Sequence, residues 1–528
     1  MGSIQVSHVS WRRPGGDELL RAVSFTIGAG QRAALIGANG VGKSTLLRLI
    51  TGELRPSEGT MAIDGRLGVM RQLVGTADTA PGAPTTVRQL LVSASEPQLR
   101  QAAATLEQAE REAAEHPMRY AEALAAWSDL GGYDAEVLWD ECVMRALGVD
   151  LTPVASRPLR TFSGGEQKRL VLEVLLRGHA DVLLLDEPDN FLDVPGKRWL
   201  ERELDTTRKT VLYVSHDREL LAATATRIVT IEPTGAWTHG GGFAGYAEAR
   251  RRHLNTLAKD RQLYDDERQR LEALVVEMRR RAKISDTFAP KLKAAETRLR
   301  HFVEKTERPV DVGDQRVQMR LGGSRTGKRA VIIEQLELDG LTDRFDLELW
   351  FGERVAVLGG NGVGKSHFLR LLGGDGTVGH DGSWRLGAGV VAGLFHQTHE
   401  HAEWAGRTLL EILHDHDVVR GPAMGMLRRY ELQGCAEQPF DTLSGGQQAR
   451  FQILLLERSG ATLLLLDEPT DNLDLVSAEA LEAGLAEFTG TVIAVTHDRW
   501  FLRGFDRFVV FNDDCSVTDH LEVPAGWR

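Results

Sequence analysis

Long apolar runs, cysteine and net positive charge are all scarce in this 528-residue chain, and each shortage closes off a class of protein. No run approaches the roughly 18–20 residues that a membrane-crossing helix needs. Candidates such as Leu463 to Leu466 are short and end in an acid. The opening MGSIQVSHVSW has no basic stretch followed by an apolar one, and Gly2 does not start a full myristoylation pattern, so neither a secretory signal nor a lipid anchor is expected. The three cysteines, Cys142, Cys435 and Cys515, are odd in number and lack metal-ligand spacing, which argues against a disulfide framework and fits a reducing, cytoplasmic setting. A formal net charge of −12 discourages a polyanion partner for the chain as a whole. Its distribution is uneven, however: Arg250 to Arg308 holds 17 Lys and Arg against 10 Asp and Glu.

What the chain has instead is an internal repeat. The length predicts two to four domains. GANGVGKS at Gly37 to Ser44 returns as GGNGVGKS at Gly359 to Ser366, each after an apolar strand-like run, AALIG or VAVLG. Strand, glycine-rich loop and helix in that order make a phosphate cradle: glycines allow close backbone approach, and N–H groups at a helix start face the oxygens. The residues in the two cradles are Gly37, Asn39, Gly40, Gly42, Lys43, Ser44 and Thr45, and Gly359, Asn361, Gly362, Gly364, Lys365, Ser366 and His367, with the lysines reaching the outer phosphates. FSGGEQ, with Ser163, Gly164 and Gly165, returns as LSGGQQ, with Ser444, Gly445 and Gly446. The same number of residues separates Ser163 from Asp186 and Ser444 from Asp467, in VLLLDEP and LLLLDEP, which read as buried parallel strands. Equal spacing again leads to His216 in YVSHDR and His497 in AVTHDR. Four motifs recurring in order are a duplicated module rather than chance.

These motifs resemble those of ATP-binding cassette proteins, in two copies over nearly the whole chain. With no membrane helix and a helical stretch between the copies, the architecture resembles the ABC-F group of translation factors and ribosome-protecting resistance proteins. The expected fold is α/β: two tandem P-loop cassettes, residues 1–240 and 326–528, joined by a helical hairpin linker at 241–325. The resemblance implies ATP and Mg²⁺ as cofactors, with Ser44, Gln72 and Asp186, and Ser366, Gln397 and Asp467, around the metals. It implies Glu187 and Glu468 as the carboxylates that polarise the attacking water, and His216 and His497 as γ-phosphate contacts. Lys43 is expected to face Ser444 across one nucleotide and Lys365 to face Ser163 across the other, with Asp193 and Asp474 communicating across the pair. Trp11 stands where the family places an aromatic on adenine, and Leu338 replaces it in the second half.

The first cassette carries a longer segment between Gln72 and Ser163, with a helix-forming insertion at about 95–135 broken at Pro117, similar to the arm of first cassettes in this group. Between the cassettes, Ala247 to Arg281 and Pro290 to Lys305 read as two antiparallel helices whose turn, AKISDTFA, is ringed by Arg279, Arg280, Arg281, Lys283, Lys291 and Lys293 beside Phe288. Cations and an aromatic suit RNA. The family implies a tip directed at the P-site transfer RNA on the ribosome, in a protein that is monomeric because both halves of each site share one chain. The competing expectation is the ATPase subunit of a drug exporter docked on a separate membrane protein. The residues after His497 suffice to finish a cassette, and no further domain is expected there.

Overall fold

Two sheets build each half of the molecule, and the repeat extends to their strand order. The structure, a computed structural model, describes residues 2–71, 84–285, 288–306, 317–322, 327–396, 401–471 and 473–527. In the first half a six-stranded sheet runs Leu67–Met70, Val182–Asp186, Thr210–Val214, Arg32–Ile36, Arg227–Glu232 and Gly235–His239. Five of these strands are parallel and the last is antiparallel. The second half repeats it as Ala392–Phe395, Leu463–Asp467, Thr491–Val495, Arg354–Gly359, Arg507–Phe511 and Val517–His520.

Strands as apolar as Val182–Asp186 and Thr210–Val214, buried at every position, form here because both faces are covered. Leu184, Leu212 and Val214 pack toward the P-loop helix and a three-stranded antiparallel sheet. Their neighbours Leu183, Leu185, Val211 and Tyr213 pack the other way, against the signature helix Gly164–Arg177. Period-two alternation thus feeds two cores from one sheet.

The antiparallel sheets repeat down to a backbone irregularity. His8 and Gln335 both take a left-handed φ of 50°, where the edge pairing of Ser3–Arg12 and Arg329–Leu338 slips register. Gly59 and Gly382 lie opposite, and a Cβ there would stand 2.3 Å from the His8 carbonyl oxygen or 2.0 Å from that of Gln335. Glycine is needed because the bulged strand comes so close.

The insertion forms helices Pro97–Arg111 and Pro117–Asp129, each opening on its proline, followed by Gly132–Leu147. The linker is a 37-residue helix, Tyr246–Ala282, against a 17-residue one, Ala289–Lys305. Tyr264 stacks on Phe302 between them, with ring centroids 4.9 Å apart. The long helix is rooted beside the first sheet, where Trp237 stacks on both Tyr246 and His253. Among the described residues no helix is long and apolar enough to cross a membrane.

Candidate functional site

Each P-loop links the central strand of its sheet to a helix, Lys43–Ile50 or Lys365–Leu372. Gly42 and Gly364 sit just before these helices with φ of 108° and 101°, a left-handed turn that a side chain resists. The Lys43 ammonium donates to the carbonyls of Gly37 at 2.8 Å and Ala38 at 3.2 Å, and Lys365 donates to Gly359 at 2.8 Å and Gly360 at 2.6 Å. With its carbonyls held by the lysine, each loop is left with N–H groups for an anion. Burial lowers the pKa of both lysines, against the nearby carboxylates.

Asp186 and Asp467, both buried, end the strand one removed from the P-loop strand in each sheet. Burial raises the Asp186 pKa, while the Ser44 hydroxyl bonds to its carboxylate and Lys43 stabilises its charge. Asp186 Oδ1 is buried without a protein partner, an oxygen donor beside a hydroxyl. Glu187 and Glu468 come next with left-handed φ of 49° and 45°, unusual for non-glycine residues. Their N–H groups are held by the carbonyls of Val214 and Val495, each at 3.0 Å.

The two carboxylates are then held differently. Asn190 donates to Glu187 at 2.7 Å. Glu468 instead accepts the main-chain N–H of His497 at 3.1 Å, and its other oxygen lies 3.4 Å from His497 Nε2. Asp471 stands where the first half has Asn190. Burial, then Asp471, raises the Glu468 pKa well above the usual glutamate value.

His216 is half-buried, but both of its ring nitrogens are buried and lack a partner, and His497 Nδ1 is in the same state. Burial and then Lys43 push the His216 pKa down to about 3, and burial and then Lys365 depress that of His497. Neutral imidazoles with unspent nitrogens beside a P-loop lysine are prepared to bond a ligand.

Ser163 and Ser444 cap 14-residue helices, closing capping boxes with Glu166 and Gln447. Both serines are exposed, and Gly164, Gly165, Gly445 and Gly446 form the first turns. Across the interface the Asn39 N–H donates to Asp474 at 3.3 Å, and Asp474 also acts electrostatically on Lys43. Asp193 acts in the same way on Lys365. Each P-loop therefore faces the aspartate of the opposite cassette. Ser44 and Ser366 are half-buried, Thr45 is half-buried, and Asn361 and His367 are exposed. Trp11 is half-buried at the edge of the first core, whereas Leu338, which the strand registers place opposite it in the repeat, is fully buried. Gln72 and Gln397 lie outside the described residues.

Sequence reading missed residues that hold these parts. Lys168, on the signature helix, donates to the Glu187 carbonyl at 2.5 Å and lies over the Phe191 ring, where the second cassette has Ala449. Arg218 pairs with Glu482 and Arg499 with Glu201, both across the interface. The only signal was the arginine of each HDR.

At the hairpin turn Arg279, Arg280, Arg281, Lys283, Lys291 and Lys293 are exposed and Phe288 is half-buried. Arg279 pairs with Glu296 at 2.8 Å and Arg281 with Glu277 at 2.6 Å, so less charge is free than the sequence count implies. Arg281 and Lys291 both lie over the Phe288 ring, 6.0 Å and 5.3 Å from its centroid.

Comparison with known proteins gives a consistent outcome. The ABC transporter family model matches residues 20–190 and 342–471. An antibiotic resistance protein of Mycobacteroides abscessus is 50% identical, covering 99% of both chains. The tylosin resistance ATP-binding protein TlrC of Streptomyces fradiae is 33% identical over 96% of this chain and 95% of its own length. Among solved structures, RNase-L Inhibitor superposes with a TM-score of 0.55 at 18% identity, over 96% of this chain and 87% of that one.

Proposed function

This chain belongs to the ABC-F family of tandem-cassette ATPases, and we propose that it closes on two ATP molecules while bound to the ribosome and thereby protects translation from an antibiotic. It binds and hydrolyses ATP; the ribosome as the place of action is the inference. The observation that carries it is the exposed basic turn, Arg280, Lys283, Lys291 and Lys293 around Phe288, at the far end of a helix pair fused between the cassettes. Charge of that sign on an acidic chain suits phosphates, and an aromatic suits an unstacked base. We assign the turn to the P-site transfer RNA. Two relatives named for resistance favour drug protection over general tuning of translation.

In hydrolysis Lys43 and the P-loop N–H groups hold the phosphates, and Glu187 polarises water for in-line attack on the γ-phosphorus. His216, neutral and unpartnered, donates to a γ-oxygen. Lys365, Glu468 and His497 do the same in the second site, and the signature serine of the opposite cassette completes each cage. Ser44 with Asp186, and Ser366 with Asp467, would hold Mg²⁺, which supplies charge neutralisation between the phosphates; their oxygen donors fit such an ion. Gln72 and Gln397 are proposed to join them, Trp11 to stack on adenine, and the insertion at 95–135 to serve as the arm. Loss of the γ-phosphate removes contacts to both halves, and the cassettes separate. With both halves of each site on one chain, the working unit is a monomer in the cytoplasm.

Cell-free translation stalled by tylosin tests this reading. Added protein with ATP should restore synthesis, and a Glu187→Gln, Glu468→Gln variant should not support repeated rounds. No restoration with tylosin or any other ribosome-targeting drug would remove the protective role.

A further inference from the structure

The centre of the interface departs from two-fold symmetry around Lys197. Helix Val194–Thr206 starts after Asp193 and carries Lys197 one turn in. The matching helix Leu475–Glu487 starts after Asp474 and carries Ala478 there. Lys197 is buried, yet its ammonium is well partnered. It forms an ion pair of 3.0 Å with Asp217 of its own cassette and reaches the main-chain carbonyl of His497 in the other at 3.5 Å. Asp217 is itself fixed, since it caps the helix Arg218–Thr224 by accepting the N–H groups of Glu219 and Leu220. A charged lysine survives burial here because Asp217, Asp189, Asp471 and Asp498 outweigh the desolvation. Asp189 is the other half of the asymmetry, its counterpart being Thr470. The acid is shifted rather than added, since the second half carries Asp471 where the first has Asn190.

His497 is therefore gripped on both sides of its own backbone. Its N–H is held by Glu468, within the second cassette, and its carbonyl by Lys197, from the first. Charge-assisted bonds to a buried carbonyl fix peptide orientation, and peptide orientation sets where the imidazole points. The alanine at position 478 offers the first site no equivalent donor.

We infer that Lys197 is a positioning residue for the second ATP site, holding the His497 main chain against Glu468 once the cassettes close, and that the first site works without such a support. The inference rests on the reading that the cassettes close on ATP. It makes the two sites unequal by construction: both are completed across the interface, but only the second also takes a main-chain support for its histidine from the opposite cassette.

The test is vanadate trapping of 8-azido-ATP in the full chain, with the labelled peptides mapped to the Lys43 and Lys365 loops. Wild type should label both loops; if it labels neither, the closure reading fails and not merely this inference. Lys197→Ala should lose at least fivefold of the label on the Lys365 loop and less than twofold on the Lys43 loop. Lys197→Arg, which keeps a cation, should retain most of it. Melting of the nucleotide-free variants is followed beside the labelling, because Lys197→Ala also takes from Asp217 its partner within the first cassette; the inference predicts a selective loss at the Lys365 loop whatever the shift in melting temperature. If alanine prevents folding, Lys197→Gln is read in the same way. Equal loss from both loops, or unchanged label on the Lys365 loop, would overturn the inference.

Discussion

Arg218 of the first cassette clamps Glu482 of the second with two guanidinium nitrogens, and the repeat returns the contact in the opposite sense as Arg499 on Glu201. Each arginine follows the aspartate that caps its turn, Asp217 or Asp498, and that turn also carries the site histidine. Closure and histidine placement are thus mechanically joined. Arg218→Ala should weaken ATP-dependent closure by about 2 kcal/mol, the usual order for truncating one member of a partly buried interface pair. The exchange Arg218→Glu with Glu482→Arg should recover part of it. Paired spin labels on the two cassettes, read with ATP, check both.

Glu187→Gln and Glu468→Gln should each leave ATP binding intact and lower turnover, and together they should lower kcat by about 10²–10⁴, the range for removing a general base. The single variants should differ, because Asn190 holds Glu187 whereas His497 holds Glu468. Phosphate release against nucleotide binding by equilibrium titration separates the two effects.

The parallel sheets were legible because buried strands such as VLLLD and LLLLD carry their burial in composition, and the linker because its two helices lack breakers until the AKISDTFA turn. Lys43, Asp186 and His216 could be singled out from their matched spacing, and the structure brings them to adjacent strand ends. Contacts made between the halves were not legible. Arg218 and Glu482 are far apart in sequence, and neither has a neighbour that announces the other. Lys168 was hidden for another reason: a lysine on a helix reads as solvated, and only the close approach of the Glu187 turn gives it a carbonyl. Less of the turn charge is free than the count suggests, because Glu277 lies one helical turn from Arg281 and Glu296 reaches Arg279 from the facing helix.

His216 sets a pH dependence. Its folded pKa is held near 3, against an ordinary value of 6.5. Between those limits the unfolded chain takes up a proton that the folded one refuses, so stability is present above pH 6.5 and declines as pH falls below it. The slope is about 1.4 kcal/mol per pH unit for one such group. His216→Gln should flatten that decline, as thermal melting of the nucleotide-free protein between pH 7 and pH 5 would register.

Gly42→Ala should impair the first ATP site selectively. A Cβ there would stand 2.9 Å from Leu20 and would face a φ of 108°. The P-loop should lose ATP affinity by at least tenfold while the Lys365 loop keeps its own, as titration with a fluorescent ATP analogue would show.

The most direct measurement is co-sedimentation with ribosomes of the Glu187→Gln, Glu468→Gln variant, with and without ATP, beside the same variant carrying Arg279, Arg280, Arg281 and Lys283 changed to Ala. An ATP-closed ABC-F protein with a nucleic-acid-directed hairpin predicts pelleting that requires both ATP and the basic turn. A closed variant that stays in the supernatant would contradict the ribosomal account, leaving a tandem-cassette ATPase whose partner is something else.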